Sequence, residues 1–196
     1  MSGSRERILQ AVENAVAGRV AQAHPGSFPG RAPDAPDPIL LVDRFREVFE
    51  RAGGEVVVFP GSAEARTWLH EFKSQFESVV FGDTVPDSLR FEVDRADPAA
   101  APLGVSMARC AIAETGSLVL DSHDGRRTQL LPPTQVVWIR AEEVYGTALE
   151  FLQALSGEPL PSALGLHSGP SKSADIGQIM VRGIHGPGRL IAGIIG

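Results

Sequence analysis

Cysteine is almost missing from this sequence: 196 residues contain one, Cys110. No disulfide can form within the chain, so a cystine-stabilised scaffold is excluded. A cysteine-held iron–sulfur cluster normally needs four thiolates, so the chain cannot hold one alone. Long apolar runs are missing as well. No stretch approaches the roughly 18–20 residues of a membrane span, and no signal-peptide core follows the polar segment Met1–Arg7. The expectation is a cytoplasmic protein with no membrane partner. Excess positive charge is also absent, the formal balance being −6. A broad basic face for nucleic acid is therefore not expected, although a local pocket for one small anion is compatible with that balance. Metal and nucleotide signatures are lacking too: there is no HExxH, no Walker A glycine pattern and no GxSxG elbow.

What is present suffices for one α/β domain. An apolar fraction of 43% and a length of 196 residues can bury a sizeable core. Arg5–Val20 reads as an amphipathic helix, with Ile8, Val12 and Val16 on one face. A proline-rich arm follows, giving an expected division into residues 1–37 and 38–196. Pro38–Ala52 predicts a helix stopped by Gly53-Gly54, Glu55–Phe59 a strand, Ser62 to about Phe76 a helix capped by Ser62, and Ser78–Phe81 a strand. Farther on, Cys110–Glu114 and Ser117–Leu120 read as a hairpin or a strand bent at Thr115-Gly116. Gln135–Ile139 and Leu190–Ile195 read as strands, and Ala141–Leu155 as a helix. Helix–strand alternation predicts a mixed, largely parallel sheet with helices on both faces. Cys110 lies in the apolar run Ala108–Ala113, where cysteine usually acts as a small buried hydrophobe.

Three segments carry candidate chemistry. The first is Glu114-Thr115-Gly116-Ser117, a carboxylate between two apolar runs. In a partly desolvated cleft Glu114 would become a better general base or a carboxylate nucleophile, with Thr115 and Ser117 adding hydroxyls and Gly116 permitting a positive φ. A hairpin whose Glu and Thr face solvent fits equally well. The second runs from His167 to Ile176. Gly169, Pro170 and Ser171 lead to Lys172 and Ser173. There Ser173 reads as the N-cap and Asp175 as the first turn of a helix, and free amides with Lys172 could hold a carboxylate or phosphate. An ordinary capped helix start is the alternative. The third is Gly183-Ile184-His185-Gly186-Pro187, a forced turn in which His185 is available for acid–base work or for structural hydrogen bonds. Metal binding by His167, Asp175 and His185 has no supporting ligand spacing. His24, His70 and His123 read as solvent-exposed, and at most one of Arg126 and Arg127 as functional.

Taken together, Ala-Ile-Ala-Glu-Thr-Gly-Ser-Leu at 111–118, Leu-Pro-Pro at 131–133, Gly-Pro-Ser-Lys-Ser-Ala-Asp-Ile at 169–176 and Gly-Ile-His-Gly-Pro at 183–187 resemble the LUD-domain family, in its lactate utilization protein C (LutC) branch. The resemblance implies a Rossmann-like fold similar to the NagB/RpiA/CoA-transferase group. It also implies a part in oxidising L-lactate to pyruvate beside iron–sulfur partner proteins, with no cofactor in this chain. Lys172 stands where the family often has arginine, Ser173 where threonine is frequent, and Gly177 where a larger polar residue is common. An independent CoA-transferase-like or isomerase-like enzyme using Glu114, and a ligand-sensing domain, are the competing readings. Glu114, Lys172 and His185 are expected to line one cleft at the strand ends, and Gly116 or Gly186 to have positive φ.

Overall fold

A computed structural model describes residues 3–17, 37–93, 96–176 and 179–196. The chain divides into two compact units, residues 1–32 and 33–196. In the first, α1 (Ser4–Val16) keeps the amphipathic pattern expected of it, with Ile8, Leu9, Val12 and Val16 all exposed. The expected extension of that helix to Val20, and the proline-rich arm, lie outside the described residues.

The second unit is built on a five-stranded sheet. Its strands are β1 (Glu55–Phe59), β2 (Val79–Phe81), β3 (Leu103–Met107), β6 (Thr134–Arg140) and β11 (Arg189–Ile195), in spatial order β1-β11-β6-β3-β2 and all parallel. Parallel strands are buried on both faces and so read as continuous apolar runs, as Gln135–Ile139 and Leu190–Ile195 do. One face packs on α3 (Ser62–Lys73) through Leu69, Phe72, Val105, Val136 and Trp138. The other packs on α2 (Pro38–Arg51), whose Phe45 and Phe49 stack at 5.2 Å between ring centres and are fully buried. Burial of one such ring contributes roughly 1.5–3 kcal/mol. Asp37 starts α2 by accepting from the Ile39 amide at 2.9 Å, and Gly54 follows its end. Ser62 is the first residue of α3 rather than its cap, which is Gly61 with no side-chain cap bond.

A second, four-stranded sheet lies on the α2 side. It is formed by β4 (Cys110–Ile112), β5 (Ser117–Asp121), β7 (Val144–Tyr145) and β8 (Leu164–His167), ordered β7-β4-β5-β8. The expected hairpin is there: β4 and β5 pair antiparallel across Thr115-Gly116. The inward side chains Ala111, Leu118 and Leu120 join the core with α2. Cys110, Ile112 and Val119 face the opposite way, onto α5 (Ala148–Ala154). A five-residue helix, α4 (Arg126–Leu130), precedes β6.

Two expected elements are corrected. Ala141–Leu155 is not one helix: a 3-10 turn at Ala141–Glu143 and the short β7 come first, and α5 begins after Thr147. Thr147 and Glu150 form a reciprocal capping box, with the Glu150 amide on Thr147 Oγ1 at 3.2 Å, and this fixes the helix start. Leu149 and Leu152 on α5 are exposed. Nor is there a helix at Ser173. Lys172–Ile176 forms β9 and pairs antiparallel with β10 (Ile179–Arg182). Ser171, Ser173 and Asp175 have weak helix propensity, and strand pairing decides the local structure. Ser173 lies opposite Val181 and caps nothing. Asp175 sits in the β9 backbone.

Candidate functional site

The Glu114–Ser117 hairpin, the Gly169–Ser173 segment and the Gly183–Pro187 turn converge near the C-terminal end of α2. Gly116 has φ +57°, and a Cβ there would lie 2.6 Å from the Phe49 amide nitrogen. The expected positive φ is thus found at Gly116 and not at Gly186. Gly169 has φ +116°, with space for a Cβ limited by the Ala52 carbonyl at 3.1 Å. The Lys172 ammonium donates to that same carbonyl. A cation there complements the negative end of the α2 dipole.

Hydroxyl contacts join the first two segments. Thr115 Oγ1 and Ser117 Oγ are 2.7 Å apart, and Ser117 Oγ and Ser168 Oγ are 2.6 Å apart. Ser117 is 1% exposed, so these bonds satisfy a hydroxyl already removed from water. Ser171 joins the second segment to the third. Its amide donates to the Pro187 carbonyl at 2.8 Å, its carbonyl accepts from the Gly183 amide at 3.0 Å, and its Oγ accepts from the His185 amide at 3.3 Å. The Leu-Pro-Pro run is tied in by the Pro133 carbonyl, which accepts from the Gly188 and Arg189 amides at 3.0 and 3.1 Å. Pro170 and Pro187 are buried, Gly186 is half-buried, and His185 is exposed.

Of the two readings of Glu114, the solvent-facing one describes its place. It is exposed rather than buried, and its Oε1 accepts from the Ala148 amide at 2.9 Å, at the first turn of α5. Its own amide donates to Gly146 at 3.0 Å. Among the described residues, no hydrogen bond or ion pair links Glu114 to Lys172 or His185. The strand ends also differ from the usual ligand side. Pro133 precedes β6, Gly188 precedes β11 and Gly53 precedes β1. The patch therefore sits at the amino-terminal edge of the parallel sheet, whereas ligands in open α/β sheets usually lie beyond the carboxyl ends.

Cys110 is buried and forms no disulfide. Burial first, and then the Glu143 carboxylate, push its thiol up to about 12. It is a neutral core side chain rather than a thiolate nucleophile. Burial pulls the imidazole of the half-buried His167 below its usual range.

A polar cluster that the sequence reading missed lies under β2 and β3. Asp124 is 1% exposed and accepts from the Thr84 amide at 3.1 Å and the Thr84 hydroxyl at 2.6 Å. Gln135 Nε2 donates to Ser106 Oγ at 2.8 Å. Asp124 Oδ2 and Gln135 Oε1 are buried without a well-formed hydrogen bond. The one available signal was Gln135 itself, a polar residue inside a strand-like apolar run.

The LUD domain family profile matches residues 80–195. Lactate utilization protein C 1 of Bacillus mycoides is 37% identical over 95 residues, which is 45% of this chain and 41% of that protein. Lactate utilization protein C of Halalkalibacterium halodurans is 35% identical over 128 residues, 61% of this chain and 53% of that protein. An uncharacterized protein of Neisseria meningitidis serogroup B is 34% identical over 161 residues, 75% of this chain and 64% of that protein. The chain thus spans less than two thirds of each of these relatives. A DUF162 family protein from Deinococcus radiodurans, whose crystal structure is known, superposes with a TM-score of 0.63 at 18% identity, over 82% of this chain and 99% of that one. That likeness is one of fold. With the profile covering more than half the sequence, the chain belongs to the LUD domain family.

Proposed function

We propose that this chain is an accessory subunit of L-lactate utilization that works beside iron–sulfur partner proteins in the cytoplasm and binds a small carboxylate or phosphate at the amino-terminal edge of its sheet. The observation that carries the proposal is the cross-bonding of four segments far apart in sequence, through Ser117–Ser168, Ser171 with the Gly183–Pro187 turn, and Pro133 with Gly188 and Arg189. These are the segments that resemble lactate utilization proteins, and relatives carrying that name support the assignment.

The geometry favours an accessory role over an enzyme driven by Glu114. One carboxylate oxygen is already committed to the Ala148 amide, and the group is open to water, which weakens the case for an activated base or nucleophile. Lys172 retains further N–H donors beyond the one on Ala52, and His185 stands beside it across Ser171. Lys172 supplies the charge for an anion here, and His185 a ring N–H donor.

Isothermal titration of the full chain with L-lactate, pyruvate and inorganic phosphate tests the anion site. Saturable binding of at least one is expected, about tenfold weaker in both Lys172→Ala and His185→Ala. Absence of heat for all three, or affinity unchanged in both variants, would remove the anion site from the proposal.

A further inference from the structure

We infer that the hollow beneath α5 is a binding site for a small organic cation, an ammonium or guanidinium group on a short apolar chain. It lies on the outer side of the four-stranded sheet and encloses about 340 Å³. That is room for a metabolite-sized molecule, at the lower end of ordinary ligand pockets.

The walls divide by chemistry. Phe151, Leu155 and Cys110 form an apolar floor; each is under 7% exposed and all belong to the cluster between this sheet and α5. The Cys110 thiol, 1% exposed, makes no hydrogen bond among the described residues. Tyr145 meets Phe151 edge-on at 5.9 Å and presents a ring against which a cation can rest.

The polar rim decides the sign of the ligand. Arg109 is its one cation among the described residues, and both arms of the guanidinium are taken, one by Asp121 at 3.4 Å and the other by Glu158. Glu143 also lines the hollow and has no ion pair or hydrogen bond among the described residues. Among the residues that line the hollow, one positive charge thus stands against the two negative charges of Glu143 and Glu158, leaving one in excess. At the buried thiol, burial and then Glu143 raise the pKa while Arg109 lowers it, the Glu143 effect being the larger of the two charges.

An anion would have to displace Glu158 from Arg109 and would still face Glu143. A metal ion lacks a set, since no group of three or more His, Cys, Asp or Glu among the described residues is placed to hold one. A monocation with an apolar tail satisfies the rim and the floor together. This site differs from the proposed anion patch in ligand charge and in place, and does not depend on it.

The probe is n-pentylammonium, with valerate as the anion of matching shape, titrated into the full chain by calorimetry and followed by amide NMR shifts. Saturable n-pentylammonium binding is expected, with shifts confined to 109–112 and 143–158 and no saturable response to valerate. Glu143→Gln should weaken the cation about tenfold. Glu143 makes no hydrogen bond that this change could break. In Glu158→Gln, Arg109 is partly released, so the preference for n-pentylammonium over valerate should narrow. Equal binding of valerate to the wild-type chain, unchanged affinity in Glu143→Gln, or no saturation by n-pentylammonium would each overturn the inference.

Discussion

Gly116 is held by backbone on one side and by its own dihedral on the other. Alanine at φ +57° pays for a left-handed conformation, and its Cβ would press on the Phe49 amide and the Val48 carbonyl carbon at 2.6 and 2.9 Å. Those are backbone atoms of a packed helix and cannot swing aside. Gly116→Ala is therefore expected to destabilise the chain by about 2 kcal/mol or more, on the scale of strained backbone positions. Urea unfolding measures it, and a loss under about 0.5 kcal/mol would mean that α2 yields freely. Asp124 is constrained by burial instead. Burial pushes its carboxyl above the usual range, against hydrogen bonds from Ser106, Thr84 and the Met107 amide that favour the charged form. Neither Ser106 nor the Met107 amide is in good hydrogen-bond geometry with Oδ2. A raised folded-state pKa means that, above the unfolded value near 3.8, the native state keeps a proton which the unfolded state has lost. The stability from this residue is thus fully present below that value and falls as pH rises to the folded-state pKa. Asparagine can still accept both Thr84 bonds and never ionises. Relative to wild type, Asp124→Asn should gain stability as pH rises above about 4, as read by paired denaturation curves. A relative loss on that rise in pH would show that the charged form is the stabilising one.

At the scale of elements, the hairpin and α5 are one assembly, because Glu114 completes the N-terminus that Thr147 begins. The Glu114→Ala change removes both an acceptor for the Ala148 amide and a negative charge at the positive end of a helix, and should cost about 1 kcal/mol. Glu114→Gln keeps an acceptor and should cost less, roughly 0.5 kcal/mol. Thermal denaturation of the two variants checks this order. A drop in lactate-dependent growth with Glu114→Gln, without the small stability change, would return the carboxylate to a chemical role. The same region shows what sequence can and cannot carry. The helices α2 and α3 and the strands β1, β6 and β11 were legible because their apolar spacing and glycine stops are local facts. The α5 start was written in Thr147-x-x-Glu150, but the longer apolar periodicity of Ala141–Leu155 masked it. In β3, Leu103, Val105 and Met107 alternate with Gly104 and Ser106, a short period-two pattern that only pairing with β2 and β6 makes decisive. For β9 no local pattern existed: its small polar residues suit a helix cap in isolation and become a strand because β10 pairs with it. The candidate site divides the same way. The residue types were visible, but the meeting of Ser117 with Ser168 across 51 positions is a product of β5 pairing with β8.

For the whole molecule, the proposed role in lactate oxidation turns on electrons. Converting L-lactate to pyruvate removes two electrons and two protons, and an acceptor must receive them. Cys110 is the chain's one cysteine, and with its thiol pushed up to about 12 it stays protonated and buried near neutral pH, unsuited to redox exchange. One cysteine also cannot supply the ligand set of a cysteine-held cluster. Under the accessory reading proposed above, electron transfer passes through other proteins, and this chain's own share is binding or assembly. Affinity capture of the tagged chain from cells grown on L-lactate is therefore expected to bring down iron- and sulfide-containing proteins. The captured complex should reduce an artificial acceptor with L-lactate, while the chain purified alone should not. Disrupting the patch by Ser117→Ala with Ser168→Ala should lower the captured iron without adding or removing any cluster ligand. Its folding can be checked separately by circular dichroism. Lactate-dependent dye reduction by the isolated chain would sink the accessory reading and make the chain an enzyme in its own right. Capture without iron, from cells shown to oxidise L-lactate, would instead detach it from that pathway altogether.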